Sequence, residues 1–563
     1  MASVEEIKRN SRNLQGTLRE TLNSDASHFQ DADKQLLKFH GIYQEVNRDL
    51  RGDEQARYIF MVRCRLPGGN LTPQQYLALD DLAGACGNGT LRITSRQDLQ
   101  LHGVRKAKLA EVITRIHRAG LTTWGGCGDV TRNIMAAAAP LKTSVHTAVQ
   151  ELAAALAREL LPRTTPYAKL WQIAGQPQAD ESPDPLYSAA YLPRKFKIGI
   201  AVPPVNDVDI YTQDLGVVPH FPRGEIEGYT LLAGGGLGMD HGRVQTFPAL
   251  ARPFLYVPAN QVVNAARAIL TVFRDHGNRE DRKQARLKYL IARKGWEWFR
   301  QEVEKNLGQA GEEPKTFAFT TVADLLGWRA QYDGRFFYTL RVETGRIQDG
   351  ESGSFRGGIR ALAQTFQCPI RLTPNHNIVF YDLPPQDRQR FNRILDEHHL
   401  RDAETPTTAR QSSLACVGLP TCNLALTESE RVYPKVMAQV DELLRELQLD
   451  KEPLLVRMTG CANGCARPYV ADIAFVGRGP GKYALYIGGS HSGDRLARLA
   501  APEVPLEQAA AALRPYLQAF AAQRQPNETF SGWWGRAHPE LVHAKPEQFH
   551  TPCEQPVRAS VAG

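Results

Sequence analysis

No stretch of this sequence is long and apolar enough to cross a membrane. The richest, HTAVQELAAALARELL (His146 to Leu161), carries charges at helical spacing. The first residues, MASVEEIKRNSRNLQGTLRE, lack the apolar core of a secretion signal, so export is not expected. Cysteine is scarce, nine in 563 residues, which supplies no small-domain disulfide framework and suits a reducing cytoplasm. The glycine run LLAGGGLGMDHG does not fit G-x-G-x-x-G, and no G-x-x-x-x-G-K-S/T occurs, so neither a nicotinamide nor an ATP site is expected. Electrons for any redox chemistry must then come from another protein. There is no long basic run, no aromatic ladder among the basic residues and no recognised nucleic-acid motif, which ranks nucleic acid low as a partner.

What is present points to a soluble globular chain: 42% hydrophobic and 23% charged residues, with a net charge of +8. That charge either solubilises the surface or helps hold something anionic. A chain of 563 residues exceeds one core, so about two to four domains are expected. After a polar, helical N-terminal arm, YIFMVRCRLPGG reads as a strand and turn, TPQQYLALDDLAGACG as a helix, and GTLRITSRQDLQLHGV as a strand. The pattern returns as RFFYTLRVETGRI, GIRALAQTFQ and CPIRLTPNHNIVFYDL. LRITSRQDLQLHGV and IRLTPNHNIVFYDL share their hydrophobic pattern and an Arg-x-Thr core. A second pair, GYTLLAGGGLG and KYALYIGGSHSG, runs from strand into glycine. The chain therefore reads as an internal duplication, each copy an α+β unit followed by a larger α/β unit.

Only the second copy carries paired cysteines. ACVGLPTC places Cys416 and Cys422 six positions apart, and MTGCANGCARPYV places Cys461 and Cys465 four apart. Four buried small hydrophobes are one reading. Structural zinc is another, although its paired cysteines favour loops of about two to four residues. A [4Fe–4S] cube needs four thiolates around a larger object, with glycines that let backbone N–H groups approach the sulfides. Gly460 and Gly464 fit that need, and spacing leans towards the cube.

The cations are grouped too. In YLPRKFK, Lys195 and Lys197 fall on one face if the segment is extended, as Arg63 and Arg65 do in VRCR. LRITSRQDLQLHG puts Arg92, Arg96, Gln100 and His102 in one parity, if no bulge or turn intervenes; DVTRNIM adds Arg132, and NREDRKQARLKY adds Arg286 within a basic helix. Any one of these alone reads as a solvated face. Lysines beside other cations have their pKa pushed down, and can both attract an anion and give it protons.

These motifs resemble the sirohaem-dependent sulfite and nitrite reductases. The resemblance runs over nearly the whole chain, through RCRLPGG, GDVTRN, YLPRKFK, LLAGGGLGMDHG and the two cysteine motifs. It is nearest to the haemoprotein (beta) subunits of assimilatory NADPH-linked sulfite reductases. It implies an α+β fold with a pseudo-twofold internal repeat: ferredoxin-like halves plus two larger mixed α/β domains around a shared cofactor site. The expected bounds are an arm over 1–57, repeat halves over 58–125 and 327–402, a sirohaem and substrate domain over 126–326, and a cluster and sirohaem domain over 403–563.

The resemblance further implies a [4Fe–4S] cluster on Cys416, Cys422, Cys461 and Cys465, with the Cys465 thiolate shared with a sirohaem iron. Arg63, Arg132, Lys195 and Lys197 would face sulfite, and Arg92, Arg96, Gln100, His102, Arg286 and Asn463 would hold or line the haem. The implied activity is six-electron reduction of sulfite in the cytoplasm. The implied electron donor is a flavoprotein subunit, with ferredoxin the alternative, and neither nucleic acid nor membrane is a partner. Nitrite reduction is the rival within the class; a zinc-stabilised polyanion-binding protein is the rival outside it. Three departures stand out: Thr131 where Asn is usual, a bulkier CARPYV after the last cysteine, and an arm that looks short.

Overall fold

In a computed structural model the chain is described over residues 3–50, 57–163, 166–173, 183–350, 353–402, 406–542 and 545–553. Two antiparallel sheets form its pseudo-symmetric middle. The first takes β1 (Ile42–Val46), β2 (Tyr58–Cys64), β4 (Leu91–Ile93) and β5 (Leu99–Val104) in the order β1-β2-β5-β4. The second takes β11 (Gly327–Ala330), β12 (Phe336–Leu340), β14 (Ile370–Leu372) and β15 (Ile378–Leu383) in the order β11-β12-β15-β14. Each sheet gains a fifth strand from the other copy: β13 (Arg346–Ile347) pairs with β4, and β3 (Asn70–Leu71) with β14. This exchange joins the repeats. The helices Pro73–Cys86 and Phe355–Phe366 pack on one another. Thr72 caps the first of them, its hydroxyl accepting from Gln75 N–H while the Gln75 side chain reaches back.

Two expected strands prove to be hairpins. GTLRITSRQDLQLHGV folds as β4, a tight turn and β5, and CPIRLTPNHNIVFYDL as β14, turn and β15. The shared threonine closes both turns: Thr94 Oγ1 accepts from Arg96 and Asp98 N–H, both at 3.2 Å. Thr373 Oγ1 accepts from Asn375 at 3.2 Å and Asn377 at 3.0 Å. Short polar side chains capping backbone in this way favour turns over continued strand. Arg96 therefore lies in a turn, not in the strand parity expected for it.

The expected arm over 1–57 is helical at Val4–Asn10, Leu18–Leu22 and Asp31–Leu37, but β1 within it already belongs to the first sheet. Its alternation was hidden by Gln44 and Glu45, which are polar yet buried. Residues 51–56 of that arm lie outside the described residues.

Two larger units flank this middle, and their sheets have one topology. In the first, β6 (Met135–Ala136), β7 (Ile198–Ile200) and β8 (Leu215–His220) run parallel, and β9 (Gly228–Ala233) and β10 (Arg252–Pro258) complete the sheet antiparallel. In the second, β16 (Leu414–Ala415), β17 (Val456–Thr459) and β18 (Ile473–Gly479) run parallel, followed antiparallel by β19 (Lys482–Ile487) and β20 (Arg498–Pro505). The glycines after β9 and β19 do matching work: a Cβ on Gly235 would strike Gln213 O, and one on Gly489 would strike Ala471 O.

One apolar cluster runs through both middle sheets and the first flanking unit, and a second fills the last unit. A smaller cluster unites Leu237 and Met239 of the first unit's glycine loop with Ala462, Tyr469 and Val470 beside the cysteines of the second. Burying side chains of this size is worth about 1.5–3 kcal/mol each, enough to seat one loop on the other.

Candidate active site

The four cysteines sit on loops at the ends of β16 and β17. Cys416 directly follows β16, and its Sγ accepts the Gly460 N–H at 3.2 Å, the backbone-to-sulfur approach that the glycine spacing suggested. Gly418 and Gly460 lie against each other there: a Cβ on Gly460 would come within 3.0 Å of Gly418 Cα and 2.7 Å of Thr427 O. Gly464, with φ at +66°, makes the turn that brings Cys465 round after Cys461. Asn463 is exposed, and its Nδ2 reaches Cys461 Sγ at 3.5 Å.

The thiols act on one another electrostatically. Burial pushes Cys416 up to about 12, and the charges of Cys465 and Cys461 push it the same way. Burial also raises Cys422, with Glu45, Cys416 and Cys465 adding to it. Such thiols stay protonated unless a cation takes the charge. No three His, Cys, Asp or Glu among the described residues converge as a single metal ion requires. Four thiols on two adjacent loops that act on one another supply the ligand number a four-iron cluster needs.

The cations meet Cys465 from the first copy. Lys195 and Lys197 flank Phe196, which is fully buried, so both lysines turn to the opposite side as the alternation predicted. Burial lowers Lys195 to about 7, helped by the like charges of Arg194, Arg286 and Arg132 and opposed by Cys465. Lys197 is pushed well below the usual lysine range by burial, then by Lys195, Arg286 and Arg96. Among the described residues neither ammonium has a hydrogen bond or ion pair.

Arg132 is buried, its Nε and Nη1 donating to Gly128 O at 2.9 Å and Gly126 O at 3.1 Å. Arg63 donates to Cys127 Sγ at 3.1 Å. With the Gln100 amide turned to satisfy both neighbours, its oxygen accepts from Arg63 Nε at 3.0 Å and its nitrogen meets His102 Nε2 at 3.2 Å. His102 Nδ1 is buried without a hydrogen-bond partner, the nearest Glu45 oxygen being 4.0 Å away.

Three of the residues expected to hold or line the haem have protein partners. Arg92 donates to Glu430 at 2.8 Å and to Ala415 O at 2.9 Å, so it braces the strand that leads into Cys416. Arg286 holds Asp214 through Nε at 3.1 Å and Nη2 at 2.8 Å, and it sits just before the helix Leu287–Lys294 rather than within it. Arg96 donates to Gln213 at 2.9 Å and to the carbonyls of Asn133 and Ile198, with only Nε left over. These guanidiniums lend positive charge to the pocket without offering it free forks.

Lys288, two residues on from Arg286, was missed. Its buried ammonium donates to Gly236 O and Gly238 O, both at 2.9 Å, and to Phe247 O, and so shapes the glycine loop. A lysine on the buried side of a helix was the available signal. Arg65 was noticed but not assigned; it is buried with none of its three guanidinium nitrogens hydrogen-bonded. Thr131, where Asn was expected, shares a 2.9 Å hydrogen bond with Tyr187 Oη, which donates onward to Leu160 O at 2.6 Å. That contact steadies the backbone immediately before Arg132.

The two copies touch here. Met239 N–H donates to Ala462 O at 3.1 Å, and Ser95 Oγ donates to Cys465 O at 2.9 Å. Cys465 is exposed, and its charge acts on Lys195, Lys197 and Arg63. Four grouped thiols, two unpaired lysines, a bare His102 Nδ1 and an unpaired Arg65 fit an iron–sulfur cluster beside a polyanionic group. Buried cations are otherwise costly to leave unmatched.

Comparison with known proteins agrees with this chemistry. The family described as nitrite and sulphite reductase 4Fe-4S domain matches residues 142–310, and the nitrite/sulfite reductase ferredoxin-like half domain matches 51–119 and 329–398. The first of these spans contains no cysteine: it covers Lys195, Lys197 and Arg286, while the four cysteines lie in the second flanking unit. A sulfite reductase (NADPH) hemoprotein beta-component of Chromohalobacter salexigens is 43% identical over 538 residues, 93% of each chain. One of Staphylococcus saprophyticus is 39% identical over 544 residues, 95% of each. Among solved structures, the Mycobacterium tuberculosis NirA protein superposes with a TM-score of 0.77 at 24% identity, over 96% of this chain and 97% of that one, which shows a shared fold.

Proposed function

The chain belongs to the nitrite and sulphite reductase family, and on that premise we propose that it reduces sulfite to sulfide with a sirohaem coupled to a [4Fe–4S] cluster. The observation that carries this reading is Cys465. It is at once one of four grouped thiols and the neighbour in charge of Lys195, Lys197 and Arg63. Cys416, Cys422, Cys461 and Cys465 would hold the cluster; Arg65, His102 and the pocket's positive field would receive the haem carboxylates. When bound, these groups supply electrons singly and an iron position open to the substrate's sulfur.

The chain's own residues do the rest. Arg63 and Arg132 hold sulfite oxygens as charge-assisted donors, which localises the anion and favours charge that develops on oxygen. Lys195, lowered to about 7, carries and releases a proton near neutral pH. Each departing oxygen takes two protons with two electrons and leaves as water, so three such losses account for six electrons. Lys197 stands beside Lys195, its own pKa pushed down by burial and then by that neighbour's charge, and is the second proton carrier.

The electron donor in this reading is a separate flavoprotein that draws on NADPH. It is supported by the names of the relatives and by the lack of nicotinamide fingerprints in this sequence. A cytoplasmic setting accords with sparse cysteine; no helix among the described residues is long and apolar enough to cross a membrane.

The test is the visible spectrum of the purified protein, with iron and acid-labile sulfide counted on the same sample. A sirohaem spectrum with roughly five irons per chain is expected, one from the haem and four from the cluster. Sulfite turnover should exceed nitrite turnover. A colourless protein containing zinc after reconstitution would overturn the reading.

A further inference from the structure

Two residues beyond Cys465, CARPYV places Arg467, a side chain bulkier than the position suggested. It does not cover the cysteines. The residue sits in the left-handed region, φ +54°, and its guanidinium turns inward, where it is buried. There it donates to Ser95 O at 3.2 Å, Pro374 O at 3.1 Å and Asn375 Oδ1 at 2.9 Å. Ser95 and Pro374–Asn375 belong to the two repeat-related turns, one in each middle sheet.

The remaining side of the guanidinium faces Asp209 of the first flanking unit, Nε to Oδ2 at 2.6 Å. The same oxygen lies 2.8 Å from Nη1 of Arg457, on β17, and that nitrogen also donates to Arg467 O at 3.0 Å. The Asp209 contacts miss hydrogen-bond angles and act as charge pairs. Asp209 and Arg457 are both fully buried. Segments from both middle sheets and both flanking units thus converge on the side chain two residues from Cys465, whose own carbonyl is held by Ser95.

We propose that Arg467 and Asp209 are positioning residues that fix the Cys465 thiol against the cation pocket of the first copy. The pair sets where Cys465 lies, not whether the cluster is held, because the other three thiols hang on β16, β17 and the Gly418–Gly460 contact. A lysine at 467 keeps the charge but cannot fork to four partners in different directions. This inference rests on reading Cys465 as the thiolate shared by haem and cluster.

The experiment uses the cofactor-loaded protein. Arg467→Lys and Asp209→Asn are compared with wild type for iron and labile sulfide, and for the magnetic coupling between haem and cluster. Removing Asp209 leaves two buried guanidiniums without their counter-charge, whereas removing the Arg467 charge leaves Asp209 matched by Arg457. Arg467→Gln is therefore the variant that keeps the test open if the other two do not fold. The expected result is wild-type iron content with weakened coupling and turnover lowered roughly 10- to 100-fold, the scale of an ångström's misplacement. Unchanged coupling at full iron content would overturn the proposal, as would loss of the cluster in a folded variant. Absence of coupling in the wild type would refute instead the reading on which the proposal rests.

Discussion

Asp214 and Asp472 occupy equivalent places in the two flanking units and do the same backbone work. Each stands just before the third parallel strand. Asp214 accepts the N–H of Lys197 and Asp472 that of Leu455, both at 2.9 Å. Lys197 and Leu455, each immediately before its middle strand, are thus matching positions. One is an unpaired lysine in a pocket; the other is a fully buried leucine. The second unit put its chemistry at the other end of the same strands, with Cys416 after β16 and Cys461 after β17, whereas Arg132, Lys195 and Lys197 precede β6 and β7. Repeated topology keeps the frame, and in the proposed function the side chains on its ends divide the labour: anion and proton handling on one copy, metal on the other.

Removing what only the second unit has should do most harm. Cys465→Ser is expected to abolish sulfite turnover and the joint haem–cluster signature, read from the visible spectrum with iron counted alongside. Retention of that signature would mean the two copies do not meet at this sulfur.

Making the first unit resemble the second is the next largest change. Lys197→Leu places the second unit's residue at the matching position and leaves the backbone bond to Asp214 in place. Loss of one positioned proton carrier typically costs about 10²–10⁴-fold in rate, so turnover should fall by that order while iron and haem content hold. Unaltered turnover would show that the cation side of the comparison lacks chemical meaning.

Much of this contrast was legible before any coordinates. The Arg-x-Thr repeat located the two middle sheets, and the cysteine spacing picked out the loops that follow β16 and β17. The alternation in YLPRKFK set both lysines on one side because Phe196 between them had to be buried. Long-range pairing was not legible. Arg92 lay at the expected parity, yet Glu430, distant in sequence, claims its guanidinium; Asp214 does the same to Arg286. Nor did the pattern in β1 announce a strand, since Gln44 and Glu45 are buried polar residues that read as solvent-facing. Threonine in Arg-x-Thr was matched as pattern, but its work, closing a turn, needed backbone geometry to be seen.

The smallest effect concerns Lys195 alone and sharpens the electrostatic half of the comparison. The folded chain holds its pKa near 7 against an ordinary 10.5, chiefly by burial. The folded form therefore gives up this proton first. Between about 7 and 10.5 only the unfolded lysine still holds it, so this group's contribution makes folding more favourable as pH rises through that window. Affinity for an anion runs the other way, being full while Lys195 is charged and falling once it is not. Sulfate, which does not titrate in this range, is the suitable probe. Its binding by calorimetry should weaken by up to about tenfold per pH unit above the break, because one proton is then taken up with each anion. The fall should begin near 7, the value in the anion-free protein, and level off at the higher pKa of the bound form, because a bound anion favours the charged lysine. Lys195→Arg keeps its charge throughout and should flatten the profile without loss of affinity at low pH. A profile equally steep in that variant would assign the titration elsewhere, and would leave the first unit's pocket a fixed positive surface with no proton to give from this position.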